Sequence, residues 1–113
     1  MHELRIAEDL AAIVLEEAKN GGLSKVSDVN ITFGQMIQIV PDIFRFAFRE
    51  AVSGTAAEEA EINIEITPVK MRCAACGNDF IVNDNKFECR SCGSTDLEII
   101  QGKELFIKSI EGE

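Results

Sequence analysis

From Leu4 to Lys19 the large and small apolar side chains fall at Leu4, Ala7, Leu10, Ala11, Val14 and Ala18, the three-and-four spacing that lays one face of a helix on a core. Asn20-Gly21-Gly22 then offers residues suited to the left-handed conformation that ends helices. Past Lys25 the period changes. Val29, Ile31 and Phe33 alternate with Asn30 and Thr32, as in a half-buried strand. Pro41-Asp42 predicts a second helix start, since proline is preorganised for the first helical position and an early carboxylate faces the positive end of the dipole. That helix, 41–52, carries Ile43, Phe44, Ala47, Phe48 and Ala51 and stops at Ser53-Gly54-Thr55. AEINIEIT alternates strictly, with Ile62, Ile64 and Ile66 on one side, until Pro68 closes it. Alternation returns after the turn Gln101-Gly102-Lys103, with Leu105 and Ile107 on one face and Phe106, Lys108 and Ile110 on the other.

Two helices and two strands make a thin domain, so the tail strand is expected to return and complete a three-stranded sheet. The predicted fold is α/β: residues 1–67 and 98–113 form a domain of two helices and three strands. Residues 68–97 form an inserted, zinc-ribbon-like module. The insert has few large apolar residues and holds all four cysteines.

Those cysteines read Cys73-x2-Cys76-x12-Cys89-x2-Cys92, with Gly77 and Gly93 behind the pairs. Two intervening residues let one tight turn aim both sulfurs at a common point, and glycine lets the backbone curl past without a Cβ clash. FIVNDNKFE between the pairs suggests a short hairpin turning at Asn83-Asp84-Asn85 and bringing the second pair opposite the first. Four thiolates satisfy zinc and leave no open position, so the site reads as structural Zn(II). A mononuclear iron site uses the same ligands, and visible absorption separates the two. Lys70, Arg72, Lys86 and Arg90 either offset thiolate charge or are ordinary solvated side chains.

Charge narrows the function. Twenty acidic against eleven basic residues give −9, and residues 1–67 hold twelve of the acids, the opposite of a phosphate-binding surface. No apolar run approaches the roughly 18 residues of a membrane span, and the start MHEL lacks a signal peptide's features. The expectation is a soluble, cytoplasmic protein with neither nucleic acid nor membrane as partner. An enzyme is not expected: the one histidine precludes a Ser-His-Asp set on a folded scaffold, no H-E-x-x-H is present, and the four-cysteine site is closed. Strand edges and the linkers around the insert leave homodimer formation by domain exchange open. A zinc-ribbon module for protein interaction, without metal transfer, is the principal alternative.

That histidine is His2. In the plain reading it is a frayed terminal residue. In the other, the Met1 amine, the His2 amide and imidazole Nδ1 close two chelate rings around one ion, a planar nitrogen set suited to Ni(II) or Cu(II). The fourth position would fall to the Glu3 amide or carboxylate, to water or to a partner. Such a chelate needs an unblocked Met1 and weakens as pH falls, because amine and imidazole both take up protons.

MHEL, PDIFRFAFREAVSGT, AEINIEITP, CAACG, CRSCGS and IIQGKELFIKSIE together resemble the HypA family, nickel metallochaperones of hydrogenase maturation, over essentially the whole chain. The resemblance implies nickel, as transferred cargo, at Met1, His2 and Glu3. It implies structural zinc at Cys73, Cys76, Cys89 and Cys92, within an α/β nickel-binding domain carrying an inserted zinc domain. It also implies two partners, the GTPase HypB and the hydrogenase large subunit. Some relatives carry histidines around the zinc module; none is present here.

Overall fold

Helix α1 (His2–Asn20) and helix α2 (Pro41–Ala51) form where the apolar period is helical, and strands β1 (Val26–Gly34), β2 (Glu61–Thr67) and β6 (Leu105–Gly112) form where it is two. The computed structural model describes residues 2–82 and 86–113, without the side chain of His2. β1 is central in a sheet ordered β2-β1-β6, so the tail strand does return to complete three strands. The α/β fold class read from the sequence is the one observed. A short 3-10 turn at Gln35–Ile37, unmarked by the periodicity, leads from β1 toward α2.

The chain divides into two compact units. The first comprises Met1–Thr32, Ile39–Glu65 and Phe106–Glu113; the second comprises Phe33–Gln38 and Ile66–Leu105. In the first, α1 buries Ala7, Leu10, Ala11, Val14 and Ala18, and α2 buries Phe44, Ala47 and Phe48. The Phe44 and Phe48 rings, one helical turn apart, lie 5.8 Å centroid to centroid. Val26, Val29 and Ile31 of β1 complete this core. Leu4 and Ile43, expected inside, are exposed. Burial also fades along β2, from Ile62 at 3% to Ile66 at 43% exposed, because Ile66 lies outside the unit that holds the helices.

The second unit has its own sheet, β4-β3-β5, from β3 (Lys70–Cys73), β4 (Asp79–Ile81) and β5 (Leu97–Gln101). Its core is Val69, Met71, Phe80 and Val82 with Cys73 and Cys89, against which Leu97 and Ile99 pack. Two sequence expectations differ from this. β5 pairs antiparallel with β3, Cys73 opposite Leu97, so 98–101 belong with the cysteines and the unit extends past the expected boundary at 97. β4 pairs with β3, Met71 opposite Phe80, instead of opening a hairpin with the residues before Cys89. Three residues are enough to bury Phe80, and β3 offers the apolar partner for it. The expected turn at Asn83-Asp84-Asn85 lies outside the described residues.

Candidate metal centre

Two tight loops carry the four cysteines, and their hydrogen bonds repeat. In the first, Gly77 N–H donates to the Cys73 carbonyl at 2.8 Å and Cys73 N–H to that of Asn78 at 2.9 Å. In the second, Gly93 N–H donates to the Cys89 carbonyl and Cys89 N–H to that of Ser94, both at 2.8 Å. The glycines that close the loops take φ of 75° and 74°, a left-handed conformation that side chains resist. The curl turns amides inward. Cys76 and Ala75 donate to the Cys73 sulfur and Asn78 to that of Cys76; Cys92 and Ser91 donate to Cys89, and Ser94 to Cys92. Asn78 Nδ2 donates to Ser91 Oγ at 3.1 Å and ties one loop to the other.

The four Sγ atoms lie within 4.8 Å of one another. Cys73 and Cys89 are buried, Cys76 and Cys92 exposed. Sulfurs this close cannot all ionise without a cation, and the protons distribute unevenly. The Cys92 amide leads in holding the Cys89 thiol down to about 6, and the Cys76 amide leads in lowering Cys73. For Cys76 the largest influence, the Asn78 amide, pulls down. The Cys89 sulfur, burial and the other two sulfurs outweigh it, and the thiol is pushed up to about 12. Cys92 is raised against the pull of the Ser94 amide, by the Cys73 sulfur and burial.

Four sulfur donors converging with no oxygen or nitrogen among them suit a soft-to-borderline tetrahedral cation such as zinc. Cys73, Cys76, Cys89 and Cys92 would hold it, and no coordination position would remain. Arg72, one residue from Cys73, is committed elsewhere: its guanidinium donates to Asp79 at 2.8 and 3.3 Å. That pairing raises the arginine and holds the aspartate below the usual carboxylate range.

At the amino terminus, Met1 and the His2 side chain lie outside the described residues. Glu3 is described, and it is buried, with 7% of its surface exposed. Its Oε2 accepts the Val40 N–H at 3.4 Å. Sequence reasoning placed Glu3 at a metal site but missed this contact; the signal available was the absence of a side-chain acceptor at Val40, which precedes Pro41. Because α1 begins at His2, the amides of its first turn have no intrahelical carbonyl to bond.

Residues 1–112 match the family model described as hydrogenase/urease nickel incorporation, metallochaperone, hypA. The chain belongs to the HypA family. The hydrogenase maturation factor HypA of Desulfatibacillum aliphaticivorans is 40% identical over 112 residues, covering 98% of this chain and 86% of that protein. HypA of Nostoc punctiforme is 40% identical over 113 residues, covering 100% and 96%. Among solved structures, the solution structure of the Ni metallochaperone HypA from Helicobacter pylori aligns with a TM-score of 0.69 at 25% identity, covering 97% of this chain and 96% of that one. A second HypA solution structure aligns at 0.74 and 26%, covering 100% and 97%. HypA proteins are metallochaperones of nickel incorporation, and a role in hydrogenase maturation implies partners in that process. Among the described residues, no helix is long and apolar enough to cross a membrane.

Proposed function

We propose that this chain binds Ni(II) at its amino terminus and helps insert it into the [NiFe]-hydrogenase large subunit during maturation. The Met1 amine, the His2 amide and the His2 imidazole grip the ion, with Glu3 in or beside the coordination shell. Cys73, Cys76, Cys89 and Cys92 hold Zn(II) that shapes the second unit and is not transferred. The chain is a carrier without a catalytic step of its own. It exchanges nickel with the GTPase HypB, acts in the cytoplasm, and can self-associate as a homodimer through its open strand edges.

The observation that carries this reading is the whole-chain match to a nickel-incorporation family in a protein whose four-sulfur cluster is a closed donor set. A cargo ion must pass to an acceptor by ligand exchange, and a cage with no open position is poorly suited to that. Support also comes from α1: a helix starting at His2 leaves its first amide nitrogens without carbonyl partners, so nickel binding there competes with no helical hydrogen bond.

The test uses untagged, zinc-loaded protein. His2→Ala abolishes stoichiometric nickel binding, and Cys92→Ser leaves it in place; the reverse pattern would assign nickel to the cysteines.

A further inference from the structure

Phe46 is the most exposed large apolar side chain among the described residues, although Phe44 and Phe48 on the same helix are fully buried. Ile43, one turn back on α2, and Ile13 of α1 are exposed as well. Two hydrogen bonds fix how the helices are turned. The Val40 N–H donates to Glu3 Oε2, so the first turns of α1 and α2 meet, and Glu3, Ile6, Leu10, Ile13 and Glu17 continue along that flank of α1 at three-and-four spacing. On α2, Arg45 Nε donates to the Ile62 carbonyl of β2 at 3.3 Å, which leaves Ile43 on the opposite flank and Phe46 on the outer side. The two helices pack against each other within the first unit. Ile13, Ile43 and Phe46 therefore form an apolar strip on the side of the pair turned away from the core.

The strip is framed by carboxylates. Asp9, Glu16 and Glu17 stand one turn from Ile13, and Asp42 and Glu50 one turn from Phe46. Arg5 pairs with Asp9 at 3.6 Å and Arg45 with Asp42 at 3.4 Å. Glu16, Glu17 and Glu50 remain against the single cation Arg49, an excess of negative charge. Such a frame repels nucleic acid and anionic lipid, and a second copy of this chain, itself at −9, would set carboxylate against carboxylate.

We propose that the outer side of the α1–α2 pair is a docking surface for a basic amphipathic helix of a partner protein. The apolar stripe of that helix covers Ile13, Ile43 and Phe46, and its lysines and arginines meet Glu16, Glu17 and Glu50. This goes beyond the nickel reading and does not depend on where the ion binds. A visiting helix presents anchors at three, four and seven residues, a spacing that lies along a strip flanked by two helices. Phe46 is the central anchor, since a large aromatic contributes strongly once desolvated at an interface. Exposed in the free chain, it is expendable for folding.

The test uses full-length, zinc-loaded protein and two synthetic helical peptides about 18 residues long, roughly five turns, with the same leucine stripe. One carries lysine and arginine on its polar face, the other glutamate. Affinity is read by fluorescence anisotropy and the contact surface by NMR shifts. The basic peptide is expected to bind, to shift Ile13, Ile43 and Phe46, and to bind more weakly as salt rises; the acidic peptide is expected not to bind. Phe46→Ala should weaken the basic peptide by about tenfold or more. Glu17→Lys should weaken it by a smaller factor and reduce the salt dependence. Phe46→Ala is also expected to keep the nickel stoichiometry of the wild type, which separates this test from that of the nickel reading. No binding of the basic peptide, equal binding of both peptides, or equal affinity of Phe46→Ala and wild type would overturn the proposal. Self-association of the free protein that Phe46→Ala abolishes would overturn it in favour of a second copy, and Phe46-dependent binding to anionic vesicles in favour of a membrane.

Discussion

Cys76 Sγ lies 3.5 Å from Cys89 Sγ, joining the exposed sulfur of one loop to the buried sulfur of the other. The Cys73 and Cys92 sulfurs repeat the crossing at 3.6 Å. Each loop thus supplies one sulfur rooted in the small core and one at the surface. With so few apolar residues around them, a cation held by the four sulfurs would be the main cross-link, worth on the order of 10 kcal/mol in small zinc modules. Chelating zinc is expected to remove amide protection from residues 73–82 and 86–93 while leaving protection in the middle of α1, read by hydrogen exchange. Retained protection around the cysteines would mean that the apolar core suffices.

Zinc uptake should release protons, chiefly from Cys76 and Cys92. Both thiols are raised and hold their protons at neutral pH, whereas Cys89, held down to about 6, is already mostly ionised there. Zinc displaces the retained protons, so affinity rises with pH and falls as the solution is acidified. Calorimetry in buffers of different ionisation enthalpy measures the number released; zinc binding with no proton release at neutral pH contradicts this distribution.

Gly77 and Gly93 have no heavy atom within 4 Å of the space a Cβ would occupy, so their requirement for glycine is conformational and not steric. Gly77→Ala is expected to cost about 1–2 kcal/mol, the penalty of a left-handed residue bearing a side chain. Gly77→Asn should recover part of it, because asparagine tolerates that conformation. Thermal unfolding of the zinc-loaded variants checks the order.

Phe46 and Phe48 are two residues apart on α2 and face opposite environments, 69% and 0% exposed. Phe48→Ala should destabilise by about 3–5 kcal/mol through the cavity it leaves. Phe46→Ala should change stability by less than about 0.5 kcal/mol. Denaturant unfolding distinguishes them, and comparable losses would contradict the burial.

Glu104 accepts hydrogen bonds from the Thr67 hydroxyl and from Gly102 N–H, the latter at 2.9 Å, and these hold its carboxyl below the usual glutamate range, Thr67 most strongly. A lowered folded-state value means the stabilisation is fully present above the ordinary glutamate pKa and is lost as pH falls through the lowered one. Thr67→Val should move the Glu104 titration, followed by its carboxyl carbon resonance, back upward.

What the sequence revealed of the fold is what periodicity encodes. The helices and long strands were legible because Ala7, Val14, Phe44, Phe48, Val29 and Ile31 recur at the period of the element that buries them. The short strands β4 and β5 were not, since three to five residues carry too little period and their pairing depends on β3, which is distant in sequence from β5. The cysteine loops were legible down to their glycines, because spacing dictates the turn. Glu3 illustrates the remainder: nothing in its sequence position signals burial, and its carboxylate accepts from an amide 37 residues away.

The central claim is that the leading amine and its neighbour hold nickel while sulfur holds another ion. Acetylating the α-amine of Met1 in zinc-loaded protein and measuring bound nickel by equilibrium dialysis tests it most directly. Stoichiometric nickel binding by the free-amine protein and its loss on acetylation is the predicted result; full uptake by the acetylated protein would contradict the account.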